Sequence, residues 1–485
     1  MAAFEDWVHP LLSRYVAAPQ WAKSMVGQVW RAVPQSLRHG SSRAEFEHLL
    51  EESDPERVTR IASQRLAETL RWAANTVPAC QGLMVPGPDD DPLEVLAQWP
   101  VVDKAMVKRD LVSRLSGALP ASQRQRIFTG GSTAEPMMFY LQKGVTRSRE
   151  YAFMDRFHSR VGYREGRDLA LALRGRVVPT AQMPGGRLWM TEPIKRQLIL
   201  SSDHLTTEFM PRYVEAMRYW RPSFILAYPS ALYPIARWLL DHPAQDVTEA
   251  VHGVMLYSEN ILEHQLALIR QVFGCPVLQH YGHSERVLMA ATLPEDDRYH
   301  FWPQYGHMEL LDARGRPVTQ PGEIGEIVGT SFDNRVMPFV RYRTGDMAML
   351  SDRPPHSSLP GYSVVQRIEG RLQEFIVCRD HRLISICAMG AAHFDELSAV
   401  ECMQFEQFVP GELVLKIVTA TPLSARARIA VSQAVTARTQ QGCDVTVQEV
   451  GAIKRTRVGK HRMLVQHLDL ASYFSTAGIQ ADRGG

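Results

Sequence analysis

Between residues 167 and 282 the chain alternates short apolar runs with longer amphipathic ones, and this alternation narrows the choice of fold more than any other feature. RDLALALRG is a run of strand character. PSFILAYPS is followed by ALYPIARWLLDHP, VHGVMLYS is followed by ILEHQLALIRQVFG, and CPVLQHYG closes the series. Short continuous apolar runs read as strands buried on both faces, and the helical spacing of the segments between them reads as covering helices. The repeat predicts an α/β domain with an at least partly parallel sheet, whose ligands are held by loops at the strand ends. The turns YPS at 228–230 and YGHSE at 281–285 fall at such ends.

The regions on either side differ in character. After residue 300, HMELLD, GEIGEIVGTSF and MPFVRYRTGDMAML are strand-like runs separated by Gly/Pro turns, which predicts a β-rich subdomain or barrel. Beyond 371, FIVCRDHRLIS reads as a hairpin, AAHFDELSAV as a helix, GELVLKIVTA as a strand, ARARIAVSQAVTARTQQ as a helix and VTVQEV as a strand. Upstream, FEHLLEESDPERVTRIASQRLAETLRWAANT repeats its leucines at helical spacing, and WPVVDKAMVKRDL reads as an extended piece leading into a helix capped by Asp103. A chain of 485 residues exceeds one ordinary domain. The expected division is a helical N-terminal arm over 1–95, a core over 96–371 with mixed sheets, and a small mobile α+β lid domain over 372–485, with Gln373 near the junction.

Charge and cysteine usage exclude several classes. Lys and Arg number 54 against 52 Asp and Glu, so no general nucleic-acid surface is expected. The local cluster Lys454, Arg455, Arg457, Lys460 and Arg462 reads first as a solvated face. Cysteines at 80, 275, 378, 387, 402 and 443 form no close pairs, which argues against a disulfide framework or zinc ribbon. No HExxH motif is present, and His280, His300 and His307 read as structural rather than as ligands. The N-terminus does not read as a secretion signal and no apolar run reaches the roughly 18 residues that span a bilayer. A cytoplasmic protein without a membrane span is expected.

Several short motifs carry chemistry. In FTGGSTAEP at 128–136, glycines let backbone N–H groups approach phosphate oxygens, and Thr129, Ser132 and Thr133 add hydroxyl donors beside Gly131. The spacing is not that of a Walker A loop. In YGHSE at 281–285, Tyr281 can stack on a purine and Glu285 can hold Mg²⁺ between phosphates. Gly282-His283-Ser284 has part of a nucleophile elbow, but Arg286 replaces the second glycine and no oxyanion segment precedes it. In RYRTGD at 341–346, Asp346 follows a tight Gly turn and can accept two charge-assisted hydrogen bonds from adjacent ribose hydroxyls. A lysine on a mobile glycine loop, as in VGK at 458–460, can stabilise developing negative charge.

In this order, these motifs with EGR at 369–371 resemble the adenylate-forming ligase superfamily, which includes acyl-CoA synthetases, adenylation domains and luciferases. Within it the chain is similar to the group related to phenylacetate-CoA ligase and the capsular-polysaccharide ligase-like proteins. The resemblance covers roughly 95–465. It implies a Mg²⁺- and ATP-dependent enzyme that activates a carboxylic acid as acyl-AMP with release of pyrophosphate. It implies Thr129, Gly131, Ser132 and Thr133 in a phosphate loop, Ser258 and Glu259 lining the adenine pocket, and Tyr281, Gly282 and Ser284 beside the nucleotide. It also implies Glu285 at Mg²⁺, Asp346 at the ribose, Arg371 reaching the ribose or phosphates, and Lys460 as the catalytic cation. Ala134 and Glu135 stand where the family's loop carries a Gly-Lys pair, and Gln373 replaces its usual hinge carboxylate. The acyl acceptor is left open between CoA, an amine and a glycan-linked group, and RDHRLIS lacks the Gly-rich segment of aryl-CoA ligases. Tyr228-Pro229-Ser230, Tyr151 and Trp189 are candidates for the acyl pocket. The alternative reading is a nucleotide-binding module without catalysis, acting through a partner.

Overall fold

The computed structural model describes residues 15, 18–34, 37–38, 42–129, 137–173, 188–201, 205, 207–371, 374–386, 400–419, 421–454, 461–470 and 473. The alternating segment forms the parallel half of a twelve-stranded ladder. Gln197–Leu200, Ala170–Leu173, Phe224–Ala227, Gly253–Tyr257 and Val277–Gly282 lie side by side in that order, all parallel. Their apolar runs are continuous because both faces are covered. Ile225, Ala227, Val254 and Leu256 face the helices Met210–Trp220, Pro229–Asp241 and Glu263–Phe273. Leu226, Met255 and Leu278 face the helix Thr146–Ser159 through Phe153 and Phe157. Alternate residues of one strand therefore enter two different cores, as the strand period of two requires.

The β-rich region is hydrogen-bonded onto this parallel half. Val277–Gly282 pairs antiparallel with Met289–Leu293, and that strand pairs with Asp296–Phe301. The ladder continues antiparallel through Ser363–Arg371, Tyr342–Leu350 and Ile324–Ser331 to Gly306–Leu311. The helix Pro55–Thr76 lays Leu66, Leu70 and Ala73 against Trp99, Phe332 and Val340, so this part of the N-terminal region is packed on the core. Asp103 caps the helix Lys104–Arg109, accepting from the Met106 N–H at 2.7 Å.

A second unit follows residue 374. Phe375–Val377 and Leu383–Ser385 form a hairpin. Asp444–Glu449, Glu412–Thr419, Val400–Gln407 and Leu464–Gln466 form a four-stranded sheet, against which the helix Ala425–Arg438 packs Val431 and Val435. Of the helix expected over AAHFDELSAV, residues 391–399 lie outside the described residues and Val400 opens a strand.

His300, on the strand Asp296–Phe301 within the antiparallel half, is fully buried. Its Nδ1 lies 3.0 Å from the Arg298 carbonyl, and its Nε2 accepts from the His356 N–H at 3.2 Å. One ring nitrogen donates and the other accepts, which requires the neutral ring. Burial accordingly pushes its pKa down to about 4. A pKa depressed on folding adds stability that is present above the unfolded value of about 6.5 and is lost as pH falls through the folded value. Urea unfolding is therefore expected to show stability falling between about pH 6.5 and 4 by up to about 1.4 kcal/mol per pH unit from this one proton. His300→Gln should flatten that slope; an unchanged slope would remove His300 as the source.

Candidate active site

Three neighbouring parallel strands deliver their carboxyl ends to one place. Phe224–Ala227 ends on Tyr228-Pro229-Ser230, Gly253–Tyr257 on Ser258-Glu259-Asn260, and Val277–Gly282 on Tyr281 and Gly282, in adjacent positions of the sheet. Such strand ends are where open α/β sheets hold ligands. Glu259 joins two of the loops, because its Oε2 accepts from the Ser230 N–H at 3.1 Å, at the start of the helix Pro229–Asp241. Its other oxygen accepts from the His461 N–H at 3.2 Å.

Two motifs far apart in sequence are then cross-linked. The Tyr281 hydroxyl donates to Asp346 Oδ2 at 2.9 Å, and the Tyr342 hydroxyl donates to Glu285 Oε1 at 2.9 Å. Each motif supplies one phenol and one carboxylate, and each phenol serves the other motif's carboxylate. Their strands stand four positions apart in the ladder, about 19 Å in a flat sheet at the usual strand spacing. The sheet must therefore curl back at this corner for a tyrosine to close the gap. Burial pushes both phenols well above their ordinary pKa, and the neighbouring carboxylates add to it, so both stay protonated donors. The Tyr281 ring also meets Phe301 edge to face at 5.7 Å.

Backbone detail fixes Asp346. Gly345 adopts φ +76°, a conformation that L side chains rarely take, and its N–H donates to Glu326 at 3.1 Å. The Asp346 N–H donates to Thr344 Oγ1, whose hydroxyl donates to the Ile327 carbonyl. Opposite Asp346 in the ladder stands Arg371, with Nε 3.5 Å from Oδ1. Its guanidinium is held above its ordinary pKa chiefly by Asp346, with Glu374 and Glu285 contributing. Lys104 is within electrostatic reach of Glu285 and Arg371; partial burial lowers its pKa and Glu285 opposes that. No motif in the sequence pointed to Lys104.

Arg341 anchors the strand that carries Tyr342 and Asp346. It grips Glu309 through two nitrogens at 2.8 and 3.1 Å and donates to the Ala97 and Trp99 carbonyls. Its φ of +47°, with Ser258 at +61° and Arg286 at +53°, places three left-handed non-glycine residues within or beside the motifs. Such conformations persist where surrounding structure over-determines them. Arg341→Met strands a carboxyl whose pKa burial already raises. It is expected to lower the unfolding free energy by roughly 3 kcal/mol, measured by urea titration; a loss under about 1 kcal/mol would show that the pair does not hold the strand.

At the phosphate-loop position the hairpin Arg124–Phe128/Met138–Gln142 is closed by Thr129, whose N–H donates to the Met137 carbonyl and whose Oγ1 accepts from the Met137 N–H, both at 2.9 Å. Met137 and Phe139 share a core with Tyr281 and Tyr342. Gly131, Ser132 and Thr133 lie outside the described residues, as do Gln373 and Lys460. Gly282 and Ser284 are exposed beside Tyr281; a Cβ at Gly282 would come within 2.9 Å of the His280 ring. Tyr151 carries the Lys195 ammonium over its ring at 5.7 Å, and Trp189 begins an edge strand.

No protein-family model matches the chain. It is 25% identical over 288 residues to Protein CapK of Staphylococcus aureus, covering 59% of this chain and 60% of that protein. It is 25% identical over 179 residues to the phenylacetate-coenzyme A ligase of Pseudomonas putida, covering 35% and 38%. The chain thus matches less than two thirds of the length of either relative. The structure superimposes on that of 2-hydroxyisobutyryl-CoA ligase in the postadenylation state in complex with R3-HIB-AMP, with a TM-score of 0.63 at 16% identity, over 92% of this chain and 96% of the other. The chain has the adenylate-forming ligase fold. In this adenylate-forming fold, Tyr281, Asp346 and Arg371 form one bonded group, the Tyr342–Glu285 pair lies within electrostatic reach of Arg371, and Ser258 and Glu259 stand on the adjoining strand end.

Proposed function

We propose that the chain is an AMP-forming ligase: it binds ATP and a carboxylic acid, forms acyl-AMP with release of pyrophosphate, and passes the acyl group to a second nucleophile. The crossed Tyr281–Asp346 and Tyr342–Glu285 pairs at the strand ends carry this reading. A carboxylate oxygen accepts up to two hydrogen bonds. Asp346, with one from Tyr281 and a long contact from Arg371, retains capacity for both ribose hydroxyls.

Among the described residues no three His, Cys, Asp or Glu side chains converge as a metal site. That fits Mg²⁺ held by one carboxylate and substrate phosphates, the usual arrangement for this ion. Glu285 is the carboxylate placed for it, with Tyr342 fixing one oxygen. Bound there, Mg²⁺ would neutralise phosphate charge. Arg371 and Lys460 supply further cations. The acid's carboxylate oxygen forms a bond to the α-phosphorus while the bond to the bridging oxygen breaks, and pyrophosphate leaves with that electron pair.

The phenylacetate-CoA and 2-hydroxyisobutyryl-CoA ligases make CoA the first acceptor to try, with amines second. No described helix is long and apolar enough to cross a membrane. Pyrophosphate release from Mg-ATP across aryl, fatty and amino acids tests the reading. Acid-dependent release is the expected result; ATP binding without release for any acid would favour the non-catalytic module.

A further inference from the structure

We infer that the segment Ser258–Asn260 is a two-sided latch, and that Glu259 is the positioning residue that docks His461, and with it the small domain, on the large domain for adenylation. The kinetic consequence rests on the ligase reading above; the contact itself rests on geometry alone. On one side, Glu259 Oε1 accepts from the backbone N–H of His461, the residue that directly follows Lys460. His461 is fastened to the small domain, because its Nε2 donates to the Met403 carbonyl at 2.9 Å and the carbonyl of Arg462 accepts from Gln404 at 2.9 Å. Holding the His461 amide therefore holds the sheet that carries the loop. The second oxygen of Glu259 is braced by the Ser230 N–H at the start of a thirteen-residue helix, where the helix dipole favours a carboxylate.

On the other side, Asn260 donates to Glu374 Oε2 at 3.1 Å, and the same oxygen accepts from the Arg371 N–H at 3.2 Å. Glu374 follows the hinge, and Gln373 beside it is the neutral residue at the family's hinge-carboxylate position. Gly370, at φ +95°, makes room for this contact: a Cβ there would fall 2.1 Å from Glu374 Oε2 and 2.3 Å from Asn260 Nδ2. The glycine of EGR thus lets hinge and strand end meet. One three-residue turn, strained at Ser258 with φ +61°, holds Glu374 and His461 together.

The test uses the 485-residue chain with Glu259→Ala and Glu259→Gln. If the competent arrangement is populated only while latched, kcat for acid-dependent ATP–pyrophosphate exchange falls on the order of 10-fold or more in Glu259→Ala, with the KM for ATP unchanged. Glutamine keeps one carbonyl oxygen and can accept from only one of the two N–H groups, so Glu259→Gln should fall between wild type and Ala. Hydrogen exchange at the His461 amide should quicken on the order of 10-fold in Glu259→Ala, while the Glu412–Thr419 strand keeps its protection. If Glu259→Ala does not fold, Glu259→Gln carries both readouts. Unchanged kcat, or unchanged exchange at His461, overturns the latch. If the wild type exchanges pyrophosphate with no acid, the ligase reading fails, and the His461 amide alone then decides the latch.

Discussion

Asp346→Ala is expected to lower kcat/KM for ATP in acid-dependent pyrophosphate release by at least about 100-fold. Two hydrogen bonds from ribose to a charged acceptor are each worth about 1.5–3 kcal/mol, so losing both costs roughly 3–6 kcal/mol of transition-state binding. The substitution also leaves the Tyr281 hydroxyl and Arg371 without the carboxylate they now share. Tyr281→Phe separates the contributions. It removes only the orienting hydroxyl and leaves the Asp346 carboxyl in place for the ribose, so the cost should be smaller, roughly 0.5–1.5 kcal/mol or about 3- to 10-fold. An Asp346→Ala enzyme within threefold of wild type would sink the ribose assignment. Equal losses in the two variants would mean that Tyr281 does more than orient the carboxylate.

How much of this was legible in the sequence depends on how local the cause is. Apolar continuity in FILA and GVMLY follows from burial on both faces, and each became a parallel strand. The Asp103 cap and the FIVCRDHRLIS hairpin are set by neighbours a few residues away, and both stand as read. Tyr281, Glu285, Asp346 and Arg371 could be named as candidates because motifs keep residue types in fixed order. Why YGHSE and RYRTGD must occur together was not, since the reciprocal phenol–carboxylate pairs arise only where a curled sheet brings them into reach. Tyr342 read as a motif letter, and the structure gives it a task at Glu285. Lys104 gave no signal because it approaches Glu285 from a short helix outside every motif. The adenine-pocket role of Glu259 rests on the family resemblance alone; its bonds to Ser230 and His461 depend on loops that only the tertiary fold adjoins.

Lys460→Ala is expected to lower pyrophosphate exchange by about 100- to 1000-fold, the range seen when one preorganised donor is removed from developing transition-state charge. Binding of ATP, read by displacement of a fluorescent analogue, should change less than about threefold, because the lysine acts on charge that develops after binding. Exchange near the wild-type rate would remove Lys460 from the chemistry. The pairing with Glu259 sharpens the expectation. On the latch reading, Glu259 contributes to adenylation by holding His461 and so by delivering the neighbouring lysine. Once the lysine is gone, releasing its loop has little left to cost: Glu259→Ala in the Lys460→Ala background should lower exchange less than about twofold further. Groups that act as one unit show this non-additivity. Full additivity would instead mean that Glu259 acts on the nucleotide directly, as its place beside the adenine position alone implies.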